Sequence, residues 1–164
     1  MNSKKASDLQ FGLSRESDVI QKLNKYFNDV IIISKQHYSR WDCIGTKHFY
    51  EIKCLRYNIE KYPTCVINTD KNIFTDNLVL VFQYSEMNYE QLYYIQFDKS
   101  LFDTFQTRFI TPTYRSKPNL IYDIPKDKLI KIEMNTMTKV TLKYSETDYE
   151  RKIYLKYQYL DNLT

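Results

Sequence analysis

The chain has 164 residues, of which 43% are hydrophobic and 16% aromatic, and its formal net charge is +4 at pH 7. This length suits one domain, and the composition excludes a globally disordered chain. The 3 cysteines show no Cys-x-x-Cys spacing, which argues against a disulfide framework and a structural zinc site. The basic excess lies mainly in residues 1–60, which suits a polyanionic partner.

The first predicted element is an amphipathic helix. Leu13, Ile20, Leu23 and Phe27 fall on one helical stripe, and Glu16 lies on the same stripe. A carboxylate on a face that packs against a sheet is costly to bury without a partner. Glu16 therefore either sits at the edge of the core near the helix N-terminus, where the helix dipole favours negative charge, or reaches a charged cluster on the sheet.

A buried strand at Asp29–Ser34 and then a β-hairpin are predicted after the helix. Two aromatic and β-branched runs flank a short polar segment that contains glycine, which is typical of a hairpin. A turn centred between Thr46 and Lys47 places Asp42 directly opposite Glu51, on the same face of the sheet.

The opposed carboxylates, Asp42 and Glu51, predict a metal site. Like charges directly across a sheet destabilise it, and a hard divalent cation relieves this repulsion. Mg²⁺ takes one or two carboxylates and fills its other positions with water and phosphate oxygens. Lys53 points to the same face, where it could position or deprotonate a water or neutralise charge on a phosphorane. The alternative is a surface hairpin with solvated carboxylates. The other face is expected to be apolar and to carry Tyr50, Ile52 and Cys54.

These residues, in this order, resemble the PD-(D/E)XK nuclease superfamily. The shared pattern is a helix with an inward Glu, a strand, an Asp at the end of a second strand, and Glu-x-Lys on a third. The resemblance covers roughly residues 10–98. Two departures are a tryptophan in place of the proline of the family name and a short Asp-to-Glu spacing, which requires a tight hairpin. The pattern falls on Glu16, Asp42, Glu51, Ile52 and Lys53, and Trp41 stands in place of the proline.

The resemblance implies a restriction endonuclease-like α/β fold with a mixed β-sheet core flanked by helices. It also implies a DNA endonuclease that hydrolyses phosphodiester bonds with a metal-activated water. Asp42, Glu51 and Glu16 would hold Mg²⁺, for which Mn²⁺ could substitute, and Lys53 would assist the attacking water. An exonuclease or a Holliday junction resolvase of the same fold is an alternative. A non-catalytic nucleic-acid-binding or virion assembly module is the alternative from a different class.

Basic residues near the proposed site interleave with aromatic side chains. This combination can grip phosphates and stack on splayed bases, although packed aromatics and solvated lysines are the alternative. The candidates for nucleic-acid contact are Lys35, Arg40, Lys47, Arg56 and Lys71.

The remaining sequence predicts further strands. Thr64–Asn68 is β-prone, and Leu78–Tyr84 and Leu92–Phe97 are expected to pair antiparallel across a loop at 85–90. Further on, the pattern predicts a short helix at 101–105, a strand at 108–112 and a second hairpin at 130–144. We therefore expect a nuclease-like core at 1–98 and a β-rich C-terminal extension of the same domain at 99–164.

The apolar runs fall far short of a membrane span, and the first residues lack a hydrophobic signal segment. We expect a soluble intracellular protein, cytoplasmic or else nuclear or virion-associated, that acts on DNA and has no membrane partner. The Tyr-rich C-terminal third favours the assembly module, because aromatic strands suit protein interfaces. The run Arg151–Tyr159 alternates charged and aromatic residues and could pair in a homodimer or with a partner.

Overall fold

The computed structural model describes residues 17–34, 39–69, 72–87, 89–111 and 117–133. These ranges contain two α-helices and nine β-strands. In chain order the elements are α1 (residues 17–27), β1 (Ile32–Ile33), β2 (Cys43–Ile44), β3 (Phe49–Leu55), a 3-10 turn (Ile59–Lys61), β4 (Thr64–Asn68), β5 (Leu78–Glu86), β6 (Tyr89–Gln96), α2 (Lys99–Phe102), β7 (Gln106–Ile110), β8 (Asn119–Pro125), a second 3-10 turn (Lys126–Lys128) and β9 (Ile130–Lys131).

The strands form two sheets. The larger sheet has the order β1-β2-β3-β5-β6-β9, and the smaller one has the order β4-β8-β7. Strands β3 and β5 are parallel, and the other neighbours in both sheets are antiparallel. The predicted mixed α/β architecture with a mixed sheet is therefore confirmed at this level. The connection from β3 to the parallel strand β5 contains β4, which is the first strand of the smaller sheet in chain order.

The β2–β3 hairpin has the predicted register. Cys43 pairs with Tyr50, and Ile44 pairs with Phe49. The backbone N–H of Gly45 donates to the carbonyl of His48 at 2.8 Å, which closes a turn with two central residues, Thr46 and Lys47. The alignment was predictable because a tight turn fixes the register of the strands on either side of it.

Strand β5 forms the centre of the larger sheet. Its residues Leu78–Tyr84 are buried without interruption, as expected for a strand covered on both faces. It pairs antiparallel with β6, which confirms that predicted pairing. The predicted loop at 85–90 is wrong, because β5 runs to Glu86 and β6 starts at Tyr89. A tight turn joins them, with Met87 in the left-handed region at φ 50°.

The faces of β3 differ from the prediction. Glu51 and Lys53 were expected to point away from the apolar side, yet their register partners, Leu80 and Phe82, belong to the main hydrophobic core. The smaller sheet covers this face with residues that include Cys65 and Ile67 from β4. The other face packs on α1, where the ring of Phe27 contacts Tyr50 and Tyr94. Both faces are therefore covered, and alternation along β3 alone does not reveal this.

Strands from the segment after residue 98 pair with strands from the segment before it. Helix α2 lies at Lys99–Phe102 instead of 101–105, and its N-terminus is capped by Asp98, which accepts the backbone N–H of Leu101 at 2.9 Å. The predicted strand at 108–112 is β7, Gln106–Ile110. Strand β8 was not predicted, and it pairs with β4 on one side and β7 on the other.

The chain divides into a compact unit, Met1–Glu133, and a second unit, Met134–Thr164. The second unit lies outside the described residues, as does most of the predicted hairpin at 130–144, of which Ile130–Lys131 forms β9. Within the described ranges, no helix has the length and apolar character needed to cross a membrane.

Candidate metal site on the β2–β3 hairpin

Asp42 is held at the open end of the hairpin, one residue before β2. Its backbone carbonyl accepts the N–H of Ser34 at 2.7 Å, which continues the β1–β2 ladder by one step. Its carboxylate Oδ2 accepts the backbone N–H of Ile52 at 2.8 Å, so the side chain takes a place beside β3. Continuing the β2–β3 register by one residue brings Asp42 next to Glu51, as the sequence predicted.

Glu51 lies in the middle of β3 and is 7% exposed. Its parallel neighbour is Leu80, which is buried in the main core. A carboxylate in such surroundings is costly to ionise unless a positive or hydrogen-bonding group compensates it. The position therefore combines a buried carboxylate with a second one, Asp42, on the neighbouring strand.

Lys53 follows on the same face of β3, because side chains two residues apart on a strand share a face. Its ammonium donates to the carbonyl of Val66 on β4 at 2.6 Å. The side chain thus spans from the larger sheet to the smaller one. This contact holds the positive charge of Lys53 between the two sheets, two residues beyond Glu51.

The residues just before Asp42 are fixed by aromatic contacts. The indole of Trp41 stacks on Phe49, with ring centroids 3.9 Å apart, and its Nε1 donates to the carbonyl of Ile73 at 2.9 Å. The guanidinium of Arg40 lies over the Trp41 ring, 4.7 Å from its centroid, and its Nε donates to the carbonyl of Asn72 at 2.7 Å. At the position where the resembled family has a proline, Trp41 thus fixes the approach to Asp42 by packing.

The other predicted residues are placed as follows. Glu16, Lys35 and Lys71 lie outside the described residues. Lys47 is exposed at the hairpin turn, where its ammonium donates to the carbonyl of Asn28 at 3.0 Å. It is therefore at the opposite end of the hairpin from Asp42. Arg56 is exposed immediately after β3.

The carboxylate oxygens of Asp42 and Glu51 are ligands that fit a hard cation. Among the described residues there is no group of three or more His, Cys, Asp or Glu side chains that could hold a metal. Asp42 and Glu51 supply two carboxylates, which is the number that Mg²⁺ commonly takes from a protein. The predicted third ligand, Glu16, is not among the residues described. Oxygen-only ligands suit Mg²⁺ and Mn²⁺ better than softer metals.

Comparison with known proteins found no relative: no protein-family model, curated protein or solved structure matches this chain.

A second buried carboxylate, Asp29, was not anticipated as an important residue. Asn28 adopts φ 47° directly after α1, and Asp29 then points toward the hairpin turn. Asp29 is 6% exposed and accepts four hydrogen bonds from the turn and from β3. The donors are the backbone N–H of Thr46 (2.8 Å), the hydroxyl of Thr46 (2.6 Å), the backbone N–H of Lys47 (3.4 Å) and the hydroxyl of Tyr50 (2.8 Å).

These contacts set the charge state at the turn. Burial would raise the pKa of Asp29, but the hydrogen bonds from Thr46, Tyr50 and Lys47 lower it below its usual value. Burial, followed by the neighbouring carboxylate of Asp29, raises the pKa of the Tyr50 phenol far above its usual value. Asp29 is therefore ionised and Tyr50 is a neutral donor. The contact spans 17 residues along the chain, so no local pattern signals it.

Proposed function

We propose that this protein is a metal-dependent DNA endonuclease with a restriction endonuclease-like fold. The observation that carries the proposal is the hydrogen bond from the Ile52 N–H to the Asp42 carboxylate, which fixes Asp42 beside Glu51. A sheet tolerates adjacent carboxylates poorly unless a cation neutralises them. Phosphodiester hydrolysis uses such a cation, together with a nearby cationic side chain.

The order of elements supports the proposed fold. Helix α1 is followed by β1, then by Asp42 one residue before β2, and then by Glu51 and Lys53 on β3. The order of these residues agrees with the pattern of the PD-(D/E)XK superfamily, but Asp42 precedes a strand, whereas the sequence predicted it at the end of one. The next strand of the same sheet, β5, is parallel to β3, which gives the mixed sheet that the resemblance implies.

Asp42 and Glu51 would hold Mg²⁺ through their carboxylate oxygens, with Glu16 as an additional ligand. The bound cation supplies a water of lowered pKa and stabilises the charge that develops on the phosphoryl oxygens. The protein's own contribution is positional. The Ile52 N–H holds Asp42, and the rigid centre of β3 holds Glu51, so neither carboxylate has to reorganise when DNA binds.

Lys53 would orient the attacking water or neutralise the charge that develops on the phosphate. Its bond to the Val66 carbonyl restrains the ammonium on the carboxylate face of β3. An ammonium carries three donors, so this bond is compatible with another one to a water or phosphate oxygen. In this proposal Lys53 provides a positive charge on the side of the two carboxylates that faces β4.

Basic residues on the surface would contact the DNA backbone. Arg40 precedes β2 and Arg56 follows β3, and both are exposed at the open end of the hairpin. Lys47 is exposed at the turn. Phosphate contacts of this kind set position and affinity without reading sequence. Lys35 and Lys71 remain candidates for the same role.

A second candidate function is a nucleic-acid-binding or assembly module without catalysis. The observation that favours it is the exposed edge strand β7, whose Phe109 is 69% exposed. An edge strand with unpaired backbone groups can accept another strand, and an exposed aromatic residue suits an interface. The two candidates make opposite predictions in a cleavage assay.

The deciding experiment is a cleavage assay with Mg²⁺ or Mn²⁺ on single-stranded, duplex, flapped and four-way-junction DNA. Wild-type protein should cut at least one substrate, and Glu51→Gln should cut none. Glu86→Gln makes the same chemical change at an exposed position and should cut like wild type. The preferred substrate separates endonuclease, exonuclease and resolvase activity.

Metal titration by calorimetry gives an independent readout. Mn²⁺ should bind with measurable heat to wild type and to Glu86→Gln, but not to Glu51→Gln. Folded protein that neither cuts DNA nor binds metal would reject the nuclease and favour the assembly module. Cutting that survives in Glu51→Gln would reject the assigned site.

A further inference from the structure

A pocket of about 440 Å³ lies on the smaller sheet, beyond the end of β3. This volume falls in the range of small-ligand sites. The lining residues are Tyr57, Tyr62, Pro63, Thr64, Val66, Gln106, Arg108 and Asp123. The proposed catalytic residues do not line it.

One wall of the pocket is aromatic and partly exposed. Tyr57 and Tyr62 meet edge to face, with ring centroids 5.1 Å apart and planes at 86°. Tyr57 also packs on Tyr84 of the core, whereas Tyr62 is 47% exposed. The exposed ring of Tyr62 is held in place by its partner, so a flat group can stack on it at little entropic cost.

The opposite wall is polar and internally neutral. Arg108 donates through Nε to Asp123 at 2.6 Å, and Thr64 donates its hydroxyl to the same carboxylate at 3.2 Å. Arg108 and Asp123 are the two charged residues among those that line the pocket. Because their charges cancel, the pocket suits a neutral group with hydrogen-bonding edges better than a phosphate.

A cation lies at the rim beside the aromatic wall. The ammonium of Lys61 is 5.5 Å from the ring centroid of Tyr57 and 5.5 Å from that of Tyr62. Within the described part of the chain, its ammonium has no carboxylate partner. A neutral pocket with an aromatic wall and a cation at its rim matches a nucleotide, with the base inside and the phosphate outside.

The pocket is connected to the proposed catalytic face. Val66 lines the pocket, and its carbonyl accepts the ammonium of Lys53. Leu55, the last residue of β3, is four residue steps beyond Glu51, about 13 Å at the usual rise of a strand, and the pocket begins just past that end. A DNA strand cut at Glu51 would therefore reach the pocket within a few nucleotides.

We propose that this pocket binds an unpaired nucleobase of the DNA strand, a few nucleotides from the scissile phosphate. The inference rests on the proposed nuclease function for the cut site, although base binding can be measured without cleavage. A base held in this way must be unstacked from its duplex, so the pocket selects single-stranded, flapped or branched DNA over continuous duplex.

The test is fluorescence anisotropy of a labelled oligothymidine strand in EDTA, where cleavage does not occur. Tyr62→Ala should raise the Kd by about 5- to 150-fold, the effect of one base–aromatic stack. Tyr62→Phe keeps the ring and should bind like wild type. Tyr26→Ala removes another exposed ring, one that does not line the pocket, and it should leave the Kd unchanged.

A strand with abasic sites separates base binding from phosphate binding. Wild type should bind the abasic strand more weakly than the normal strand, and Tyr62→Ala should bind both equally. Equal binding of the two strands by wild type would overturn the proposal, as would a loss in Tyr26→Ala equal to that in Tyr62→Ala. Displacement of the DNA by a proline-rich peptide, with no discrimination against abasic sites, would reassign the pocket to peptides.

Failure of this inference differs from failure of the nuclease proposal. If Glu51→Gln abolishes cleavage while Tyr62→Ala keeps wild-type DNA binding and substrate preference, the pocket assignment fails and the nuclease stands. If Tyr62→Ala loses base-dependent binding while wild type cuts nothing, the pocket stands on a non-catalytic nucleic-acid-binding protein.

Discussion

The two ends of the β2–β3 hairpin each place an aspartate against backbone N–H groups, but the surroundings of these aspartates differ. At the turn, Asp29 is met by donors only, four N–H and O–H groups in all. At the open end, Asp42 accepts the N–H of Ile52 and lies beside a second carboxylate, Glu51. The two ends of one hairpin thus meet the same kind of side chain in two chemical settings.

The difference shows that neighbours decide the role of a carboxylate. Four donors match the roughly four lone-pair sites of an ionised carboxylate, so Asp29 is satisfied within the folded chain. A carboxylate next to another carboxylate concentrates negative charge, which favours a cation. We therefore expect the turn to determine stability and the open end to determine activity.

The largest expected effect separates the two aspartates by activity. Asp42→Asn should lower the cleavage rate by about 10³-fold, because metal-held charge stabilisation is worth several kcal/mol. The amide oxygen can still accept the Ile52 N–H, so the free energy of unfolding should change by less than about 1 kcal/mol. Single-turnover cleavage and urea unfolding of the same samples measure the two quantities. A large loss of stability with unchanged cleavage would reverse the comparison.

Gly45→Ala should destabilise the turn by about 3 kcal/mol, the upper range for forcing an extra carbon into a packed site. An added Cβ would collide with Oδ2 of Asp29 and would lie 3.0 Å from a ring carbon of Tyr50. Urea unfolding measures the effect. The double variant Asp29→Ala/Gly45→Ala should be less destabilised than the sum of its single variants, because the clash partner is gone. Strict additivity would contradict the contact.

Asp29→Asn should cost about 2 kcal/mol near neutral pH, because hydrogen bonds to a charged group are the stronger ones. The folded-state pKa of Asp29 is lowered from its usual 3.8, so its contribution is fully present above that value. The contribution is lost as the pH falls through the folded-state pKa. The stability difference between wild type and Asp29→Asn should therefore vanish in acid. A stability difference that persists below both the usual and the folded-state pKa of Asp29 would show that the charge of Asp29 is not its origin.

The smallest expected effect is that of Tyr50→Phe, about 1 kcal/mol for one lost hydrogen bond. This variant also removes a group that lowers the pKa of Asp29, so the acid loss of stability should move to higher pH. Tyr93→Phe removes a hydroxyl that donates to Gln91 and should leave the acid transition where it is. Acid titrations followed by circular dichroism compare the two variants.

Local features of the sequence predicted the hairpin well. Its register follows from a two-residue turn and from alternation along the strands, and both are encoded within a dozen residues. The placement of Asp42 beside Glu51 follows directly from that register. The antiparallel pairing of β5 and β6 was predictable for the same reason, since the two strands are adjacent in the chain.

Contacts between distant parts of the chain were not predictable. The apolar cover over Glu51 comes from β4 and β8, and β8 lies about 70 residues further along the chain. Strand β8 was not predicted: Pro118 precedes it and Pro125 is its last residue, and a proline weakens the sequence signal of a strand. Asp29 was assigned to a strand, although it binds a turn 17 residues away. Alternation shows which side chains share a face, but it does not show what covers that face.

The packing of Trp41 has a practical consequence. It is the one tryptophan in the sequence, next to Asp42 in the chain and stacked on Phe49, two residues before Glu51. Fluorescence excited where tyrosine does not absorb therefore comes from this position alone. A cation or DNA strand that binds beside Asp42 would be expected to change the polarity or rigidity around that indole. The protein thus carries its own optical probe, and occupancy can be followed in real time without a label.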